Sequence, residues 1–457
     1  MADPSKNKPL RILVAPDSFK GSLSAVQVAA AMARGIQAVF PEAEVQQVPM
    51  ADGGEGSVEA LVTATQGRLV HTVVRGPMGA PVWAQWGLSG DGTTAFIEMA
   101  AASGLPLVPE ARRDPRLAST FGTGELIRAA LDQGLRKLVI GLGGSATNDG
   151  GAGMARALGV RFLDGQGQDL PEGGAALARL ARVDLAGLDA RLAEASLLVA
   201  CDVDNPLCGP RGASAIYGPQ KGATPDMVAE LDAALGHFAE VAAAATGRAI
   251  ASCPGAGAAG GLGAGLLLFT PATLRPGVAI VLEATGFEAL LNGADLVLTG
   301  EGRTDAQTAM GKAPVGIAAV ARCRGVPVVC LSGGLGEGAD AVLDSGIQAL
   351  ASIVPGPMDL QACLDGGADL VEAATARLCR WLKVGQGLGK DPPRRHGAHG
   401  GGTEASVNLR GWAGRTPLPA KPEATGGAGS RCFWGDLNPA PPVCPCSVST
   451  WWIFFSQ

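Results

Sequence analysis

Two hydrophobic periods alternate along this chain, and the points where they change restrict it to an α/β fold. Residues 10–16, LRILVAP, form a short apolar run rich in branched side chains. After DSFKGS, the stretch LSAVQVAAAMARGIQAVF carries apolar residues at helical spacing. AEVQQVPM and GSVEALVTATQG repeat the strand–helix order, which predicts a parallel α/β unit whose loops gather at the carboxyl ends of strands. Near residue 68 the period drops to two. RLVHTVVRGPMGAPVWAQWGLSGDGTTAFIEMA alternates between Gly and Pro turns and predicts an antiparallel meander. Helix and strand patterns then resume, with KLVIGLGG and ASLLVACDV as strands, and near the end ADLVLTGEG, VPVVCLSGG and ALASIVPG as three more. The expected architecture is α/β with two domains: a discontinuous Rossmann-like domain from residues 1–67 and 285–385, and an inserted mixed α/β domain over 68–284. From residue 386 the sequence has no apolar period and is loaded with Gly and Pro, so 386–457 reads as a disordered tail.

Composition narrows the function classes. The 457 residues are 47% hydrophobic and 17% charged, a balance that folds into packed domains. A net charge of -6, with no basic stripe interleaved with aromatics, argues against nucleic acid as a partner. No h-region opens the sequence, and no run approaches the roughly 18 apolar residues of a membrane span, so a cytoplasmic location without membrane contact is expected. Of ten cysteines, Cys201, Cys208, Cys253, Cys323, Cys330, Cys363 and Cys379 show no CxxC spacing and read as idle thiols. Cys432, Cys444 and Cys446, with His396 and His399, match no standard zinc finger.

Four Gly-rich segments mix acids, amides and lysines after strands, where the ligands of open α/β sheets bind. APDSFKGS supplies Asp17, Ser18 and Lys20, suited to a base or orienter beside an anion clamp; the plainer reading is an N-capping Ser22 and two solvated charges. MADGGEGSVEA supplies Asp52, Gly54 and Glu55 at the start of a helix, where amides and the helix dipole can face an anion, although acids there are also ordinary caps. GLGGSATNDGGAG offers Gly143, Gly144 and Ser145 as a phosphate cradle, with Asn148 and Asp149 as hard oxygen donors for Mg²⁺. Nearby, ACDVDNPLCG places Asp202, Asp204 and Asn205 past a strand, with Lys221 following in a Gly/Pro loop; an Asx turn before Pro206 is the alternative. In the fourth group Gly255, Gly257 and Gly260 match G-x-G-x-x-G without a good preceding strand. TGEGRTDAQTAMGKAP adds Glu301, Arg303, Asp305 and Lys312, but lacks the Ser or Thr and the glycine placement of a P-loop.

Ten segments in register, among them VAPDSFKGSLSA, PMADGGEGSVEAL, GLGGSATNDGGAGMARALG, ACDVDNPLCG, GASAIYGPQKGA and TGEGRTDAQTAMGKAPVGIA, make residues 10–383 resemble the bacterial glycerate kinase family, of the type that phosphorylates the 2-position. The resemblance implies a two-domain enzyme using ATP and Mg²⁺ to convert D-glycerate to 2-phosphoglycerate, with a homodimer as the candidate assembly. Its motif residues map onto Asp17, Lys20, Asp52, Glu55, Asn148, Asp149, Asp202, Lys221, Glu301, Asp305 and Lys312. Phosphoryl transfer needs charge neutralisation, in-line placement and a proton acceptor. On that basis Lys20 or Lys221 is expected to clamp the glycerate carboxylate or the γ-phosphate. Asp202 or Asp17 is expected to orient the hydroxyl, and Asp149 with Glu301 or Asp305 to hold Mg²⁺. Ser18, Gly54, Gly143, Gly144, Ser145, Asn205, Gly257, Gly260 and Arg303 complete the expected substrate and nucleotide contacts. Two other classes stand beside this one: an NAD-dependent oxidoreductase using the G-x-G-x-x-G stretch, and a non-catalytic sugar-acid-binding protein.

Overall fold

The computed structural model describes residues 8–51 and 53–388. Asp52 and nearly all of the expected tail lie outside the described residues. The chain opens with β1 (Arg11–Pro16) and β2 (Glu44–Gln47), continues with β3 (Arg68–Arg75), β4 (Pro81–Leu88), β5 (Thr94–Glu98) and β6 (Lys137–Gly141), then β7 (Arg161–Leu163), β8 (Arg182–Asp184), β9 (Ser196–Ala200) and β10 (Ala272–Arg275), and ends with β11 (Leu296–Thr304), β12 (Val328–Leu335) and β13 (Ala349–Ser352).

These strands form two main sheets. A five-stranded parallel sheet has the order β13-β12-β11-β1-β2, built wholly from the two ends of the chain. Counted within that sheet the order is 2-1-3-4-5, the flavodoxin-type arrangement, whose switch point lies between β1 and β11. Everything between β2 and β11 is inserted at that point. The second sheet, β10-β9-β6-β5-β4-β3, is parallel from β10 to β5 and antiparallel through β4 and β3, as the period-two stretch predicts. β7 and β8 pair separately, and these short strands, like β10, carry too few residues for a clear period.

The helix Ala25–Gln37 shows local sequence at work. Ser24, not Ser22, is its N-cap: Ser24 Oγ accepts from Gln27 N, and Gln27 Oε1 accepts from Ser24 N, a reciprocal capping box. Ser22 instead donates to the Leu364 carbonyl, tying the loop after β1 to the far end of the chain. Among the described residues no helix is long and apolar enough to cross a membrane.

One apolar layer serves both sheets. Leu13, Val297 and Val328 of the first sheet pack into the same cluster as Phe96, Val139 and Ala200 of the second, with Val58, Leu61, Ile280 and Val281 between them. The last four lie on the helices Ser57–Ala64 and Gly277–Ala284. Above this layer the loops of the two sheets meet backbone to backbone. A Cβ on Gly141 would stand 2.5 Å from the Gly53 carbonyl oxygen, and one on Gly143 would stand 2.7 Å from Gly54 Cα. Gly53, at φ +87°, has Ala200 Cβ where its own Cβ would be, so it is barred from a side chain twice over.

Two glycine substitutions should therefore diverge. Gly141→Ala pushes a methyl into the Gly53 carbonyl and is expected to destabilise by about 1–3 kcal/mol. Gly236→Ala lies inside the helix Pro225–Thr246 with only Cys208 Sγ nearby, at 4.0 Å, and should stabilise by roughly 0.5–1 kcal/mol. Urea unfolding of both variants checks the pair; equal effects would remove the close approach as an explanation.

Candidate active site

The carboxyl ends of both sheets face a common cavity of about 720 Å³, within the range of roughly 300–1,000 Å³ usual for small-molecule sites. One wall comes from the first sheet: Asp17, Ser18 and Lys20 after β1, then Met50, Ala51 and Gly53–Glu55 after β2, with Glu59 behind them. The other comes from the second sheet: Leu142–Ser145 after β6, Ala200–Val203 after β9, and Tyr217, Gln220, Ala258 and Ala259. Strand polarity alone produces this convergence, because every contributing strand is parallel and ends here.

Asp17 is nearly buried, and its backbone N–H donates to the Gly300 carbonyl of β11 at 2.8 Å. Lys20 and Glu55 are exposed to the cavity. Asp202 is also exposed, and its Oδ1 accepts from Gly277 N at 2.9 Å, so the first turn of the helix Gly277–Ala284 fixes the carboxylate's direction. Gly54, Gly143, Gly144 and Ser145 line the wall as the sequence suggests.

The helix N-terminus at Ser57, expected to face an anion, is already occupied. Gly56 gives the helix no side-chain cap; instead Glu98, at the end of β5, accepts from Val58 N at 2.7 Å. Burial pushes the Glu98 carboxyl above its usual range, against the pull of the Val58, Gly56 and Ser57 amides, and nearby Glu55 adds to the rise. Sequence reading missed Glu98; its one signal is an acid closing the strand TAFIE at the same edge as the Gly-rich loops.

Other expected residues lie elsewhere. Asp149 is fully buried behind the cavity wall, and its carboxylate accepts from Thr120 N, Thr120 Oγ1, Gly151 N and Gly153 N at 2.8–3.2 Å. Burial raises its pKa, and these donors oppose the rise. Asn148 donates to Ser214 Oγ, while its Oδ1 and Thr147 Oγ1 stay buried without a partner. Lys221 is also buried, with Nζ donating to the Thr147 carbonyl at 2.7 Å. Desolvation brings its pKa down to about 7, although the nearby Asp149 works in the other direction. Together these side chains brace the 143–149 loop from behind.

Glu301 sits one residue past the β1–β11 pairing Pro16↔Gly300, beside Asp17 in register. It is buried in a hydroxyl network, accepting from Thr304 and Thr308 at 2.9 and 2.7 Å, with Ser332 beyond. Burial raises its pKa. Arg303 pairs with Asp305 at 3.6 Å, and Lys312 occupies the N-cap position of the helix Ala313–Cys323 without a side-chain cap. This group shares the sheet edge without lining the cavity. Asn205 is also off the wall: it accepts from Tyr217 and donates to the Arg211 carbonyl.

The G-x-G-x-x-G stretch has a packing origin. A Cβ on Gly257 would stand 2.2 Å from the Pro206 carbonyl oxygen, and one on Gly260 only 1.9 Å from that of Thr147. These glycines let two loops touch, and neither faces the cavity. Among the described residues no group of three His, Cys, Asp or Glu side chains converges as a metal cage.

Comparison with known proteins bears on this geometry. A model of the glycerate kinase family matches residues 12–383. A glycerate kinase from Bacillus subtilis is 52% identical over 375 residues, covering 82% of this chain and 98% of the relative. A glycerate 2-kinase from Escherichia coli is 48% identical over 376 residues, 82% of this chain and 99% of that protein. A crystal structure described as that of a glycerate kinase 2 from Salmonella typhimurium LT2 superposes with a TM-score of 0.77 at 49% identity, covering 83% of this chain and all of the other.

Lys221 yields a pH signature. With a folded pKa of about 7 against an ordinary 10.5, the folded chain loses this proton before the unfolded chain does. Its contribution to stability therefore rises with pH between those two values. Denaturant unfolding at pH 7 and pH 9 should show wild type gaining on Lys221→Met; parallel changes in the two proteins would mean that Lys221 is not held in a desolvated state.

Proposed function

The chain belongs to the glycerate kinase family, and on that premise we propose that it transfers the γ-phosphoryl group of ATP to the 2-hydroxyl of D-glycerate, yielding ADP and 2-phosphoglycerate. The observation that carries this reading is the meeting of Asp17, Lys20, Glu55 and Asp202 in one cavity at the carboxyl ends of two sheets. Such a site offers a cation for an anionic substrate, carboxylates for a hydroxyl proton, and Gly-rich backbone that phosphates can approach closely.

In the proposed reaction the 2-hydroxyl oxygen forms a bond to the γ-phosphorus as the bond to the β,γ-bridging oxygen breaks. Asp202 receives the hydroxyl proton, aimed by the Gly277 N–H, and ADP leaves with the electron pair. Lys20 holds the glycerate carboxylate or the migrating phosphoryl group. Asp17, tied through its backbone N–H to Gly300 within β11, supports the acceptor position.

Mg²⁺ usually keeps several waters and takes one or two carboxylates plus substrate phosphates, a demand that Asp17 and Glu55 on the cavity wall fit. The carboxylate of Asp149, sealed by Thr120 and two backbone amides, does not. When bound with ATP the ion supplies charge neutralisation on the phosphates. We assign Asp149, Asn148 and Lys221 a positioning role behind the wall, and Glu301 with Lys312 a supporting role at the edge of the first sheet. The two sheets are the natural halves of the two expected domains. Their closure over glycerate would exclude water that otherwise competes for the phosphoryl group.

ADP release from MgATP by the full chain should require D-glycerate, with phosphorus NMR placing the product phosphate on carbon 2. Asp202→Asn should fold normally and lower kcat by about 10²–10⁴. No glycerate-dependent ADP from a folded protein would overturn the reading, and near-normal turnover by Asp202→Asn would remove that residue as the proton acceptor.

A further inference from the structure

Beside Asp202 the cavity wall also carries apolar and aromatic side chains for which the phosphoryl transfer itself has no use. Tyr217 is the chain's single tyrosine and the one aromatic side chain on the described cavity wall. Around it the same wall presents Cys201, Val203, Ala258 and Ala259, and no charged side chain comes from the 258–259 turn. Val203 is 39% exposed, a branched apolar side chain left open at a site otherwise rich in acids.

The ring is held in place by its tip. Tyr217 Oη donates to Asn205 Oδ1 at 2.7 Å, and Asn205 Nδ2 donates to the Arg211 carbonyl at 2.8 Å. The amide therefore has its oxygen committed to the tyrosine and its nitrogen to the backbone. With the hydroxyl engaged in this way, the ring offers a ligand mainly a flat apolar surface.

The neighbouring wall is held at a conformational cost. Ala259 has φ +53° and ψ +40°, followed by Gly260 and Gly261 at φ +68° and +87°, a left-handed turn inside the helix Ala258–Phe269. For a residue with a Cβ this conformation is disfavoured. It is fixed by the approach of Gly260 to the Thr147 carbonyl and of Gly261 to Gly150. A strained non-glycine residue on a cavity wall, beside an anchored aromatic, is what a preformed ligand surface looks like.

We propose that Tyr217, Val203, Ala258 and Ala259 form the subsite for the purine base of the nucleotide, with Tyr217 as its stacking platform. This rests on the kinase reading above and adds to it the direction in which the nucleotide lies. Glycerate, a three-carbon polyhydroxy acid, has no planar apolar face to set against an anchored ring; the base is the one such group among the reactants. The phosphates then run from this corner toward Gly143–Ser145 and Lys20, which line the rest of the same cavity. Asn205 is accordingly a positioning residue, acting through Tyr217 and not on substrate.

Two measurements on the full chain test the subsite. In the first, binding of a fluorescent N-methylanthraniloyl ADP and the KM values for ATP and glycerate are compared in wild type, Tyr217→Phe and Tyr217→Leu. Loss of the ring should weaken nucleotide binding and raise the ATP KM about tenfold, with the glycerate KM within about twofold of wild type. Tyr217→Phe, which keeps the ring but loses the tether to Asn205, should fall between wild type and Tyr217→Leu in ATP KM. Unchanged nucleotide binding in folded Tyr217→Leu, or a rise confined to the glycerate KM, would overturn the assignment. The second needs no variant: 8-azido-ADP photolabelling of wild type, mapped by mass spectrometry, should mark peptides carrying 201–205, 213–221 or 256–261. Labelling confined to the 301–312 segment would refute the subsite while leaving the kinase reading intact, whereas a wild-type protein that binds no adenine nucleotide would overturn both.

Discussion

The contact on which the rest of the site depends is made between backbones. Gly53 and Gly54, after β2, press against Gly141 and Gly143, at the end of β6, with no side chain between them. Because β1 and β2 of one sheet and β6 and β9 of the other end beside this contact, the loops that follow those four strands open into the same space. A single methyl at Gly141 or Gly143 would drive the loops apart, and the Asp17 and Asp202 walls would separate with them. The glycines in MADGGEGSVEA thus owe their place to the closeness of two sheets. A flexible cradle for an anion is not needed to explain them, and the adjoining helix N-terminus already holds Glu98.

The charges around this contact fall into two populations with different work. Lys20, Glu55 and Asp202 reach the cavity, where solvent and ligands can meet them. Glu98, Asp149, Lys221 and Glu301 are buried to varying degrees, and desolvation is the leading cause of each pKa shift. A buried ionisable group is costly unless its hydrogen bonds are met. Asp149 satisfies that condition with Thr120 and two amides, and Glu301 with two threonine hydroxyls. Lys221 meets it only in part, through the Thr147 carbonyl, and its pKa falls accordingly. These groups hold the loops that carry the exposed ones. Substitution among them is expected to change the shape of the cavity before it changes its chemistry.

Much of the fold can be read from periodicity. β1, β6, β9, β11, β12 and β13 all coincide with short apolar runs, and the shift to period two at residue 68 marks where β3, β4 and β5 turn antiparallel. The site is less legible, because a sequence does not tell an exposed carboxylate from a sealed one. Asp202 and Asp149 look alike as acids in loops after strands, though Asp202 is exposed and Asp149 is buried. What separates them is Thr120, 29 residues upstream of Asp149, whose amide and hydroxyl close over the carboxylate. Glu98 caps a helix 40 residues away, a pairing that no local pattern encodes. The G-x-G-x-x-G stretch carries the same spacing as a dinucleotide fingerprint, yet Gly257 and Gly260 are required by the carbonyls of Pro206 and Thr147. Spacing records that glycine is needed; only the tertiary neighbours say why.

Hydrogen–deuterium exchange with and without D-glycerate and MgADP tests most directly whether the cavity between the two sheets is where both substrates meet. The account predicts that the ligands together slow exchange in loops from both sheets, at 17–24 and 53–57 on one side and at 143–145 and 201–203 on the other. Protection restricted to one sheet, or centred on 301–312 with the cavity loops unchanged, would contradict it.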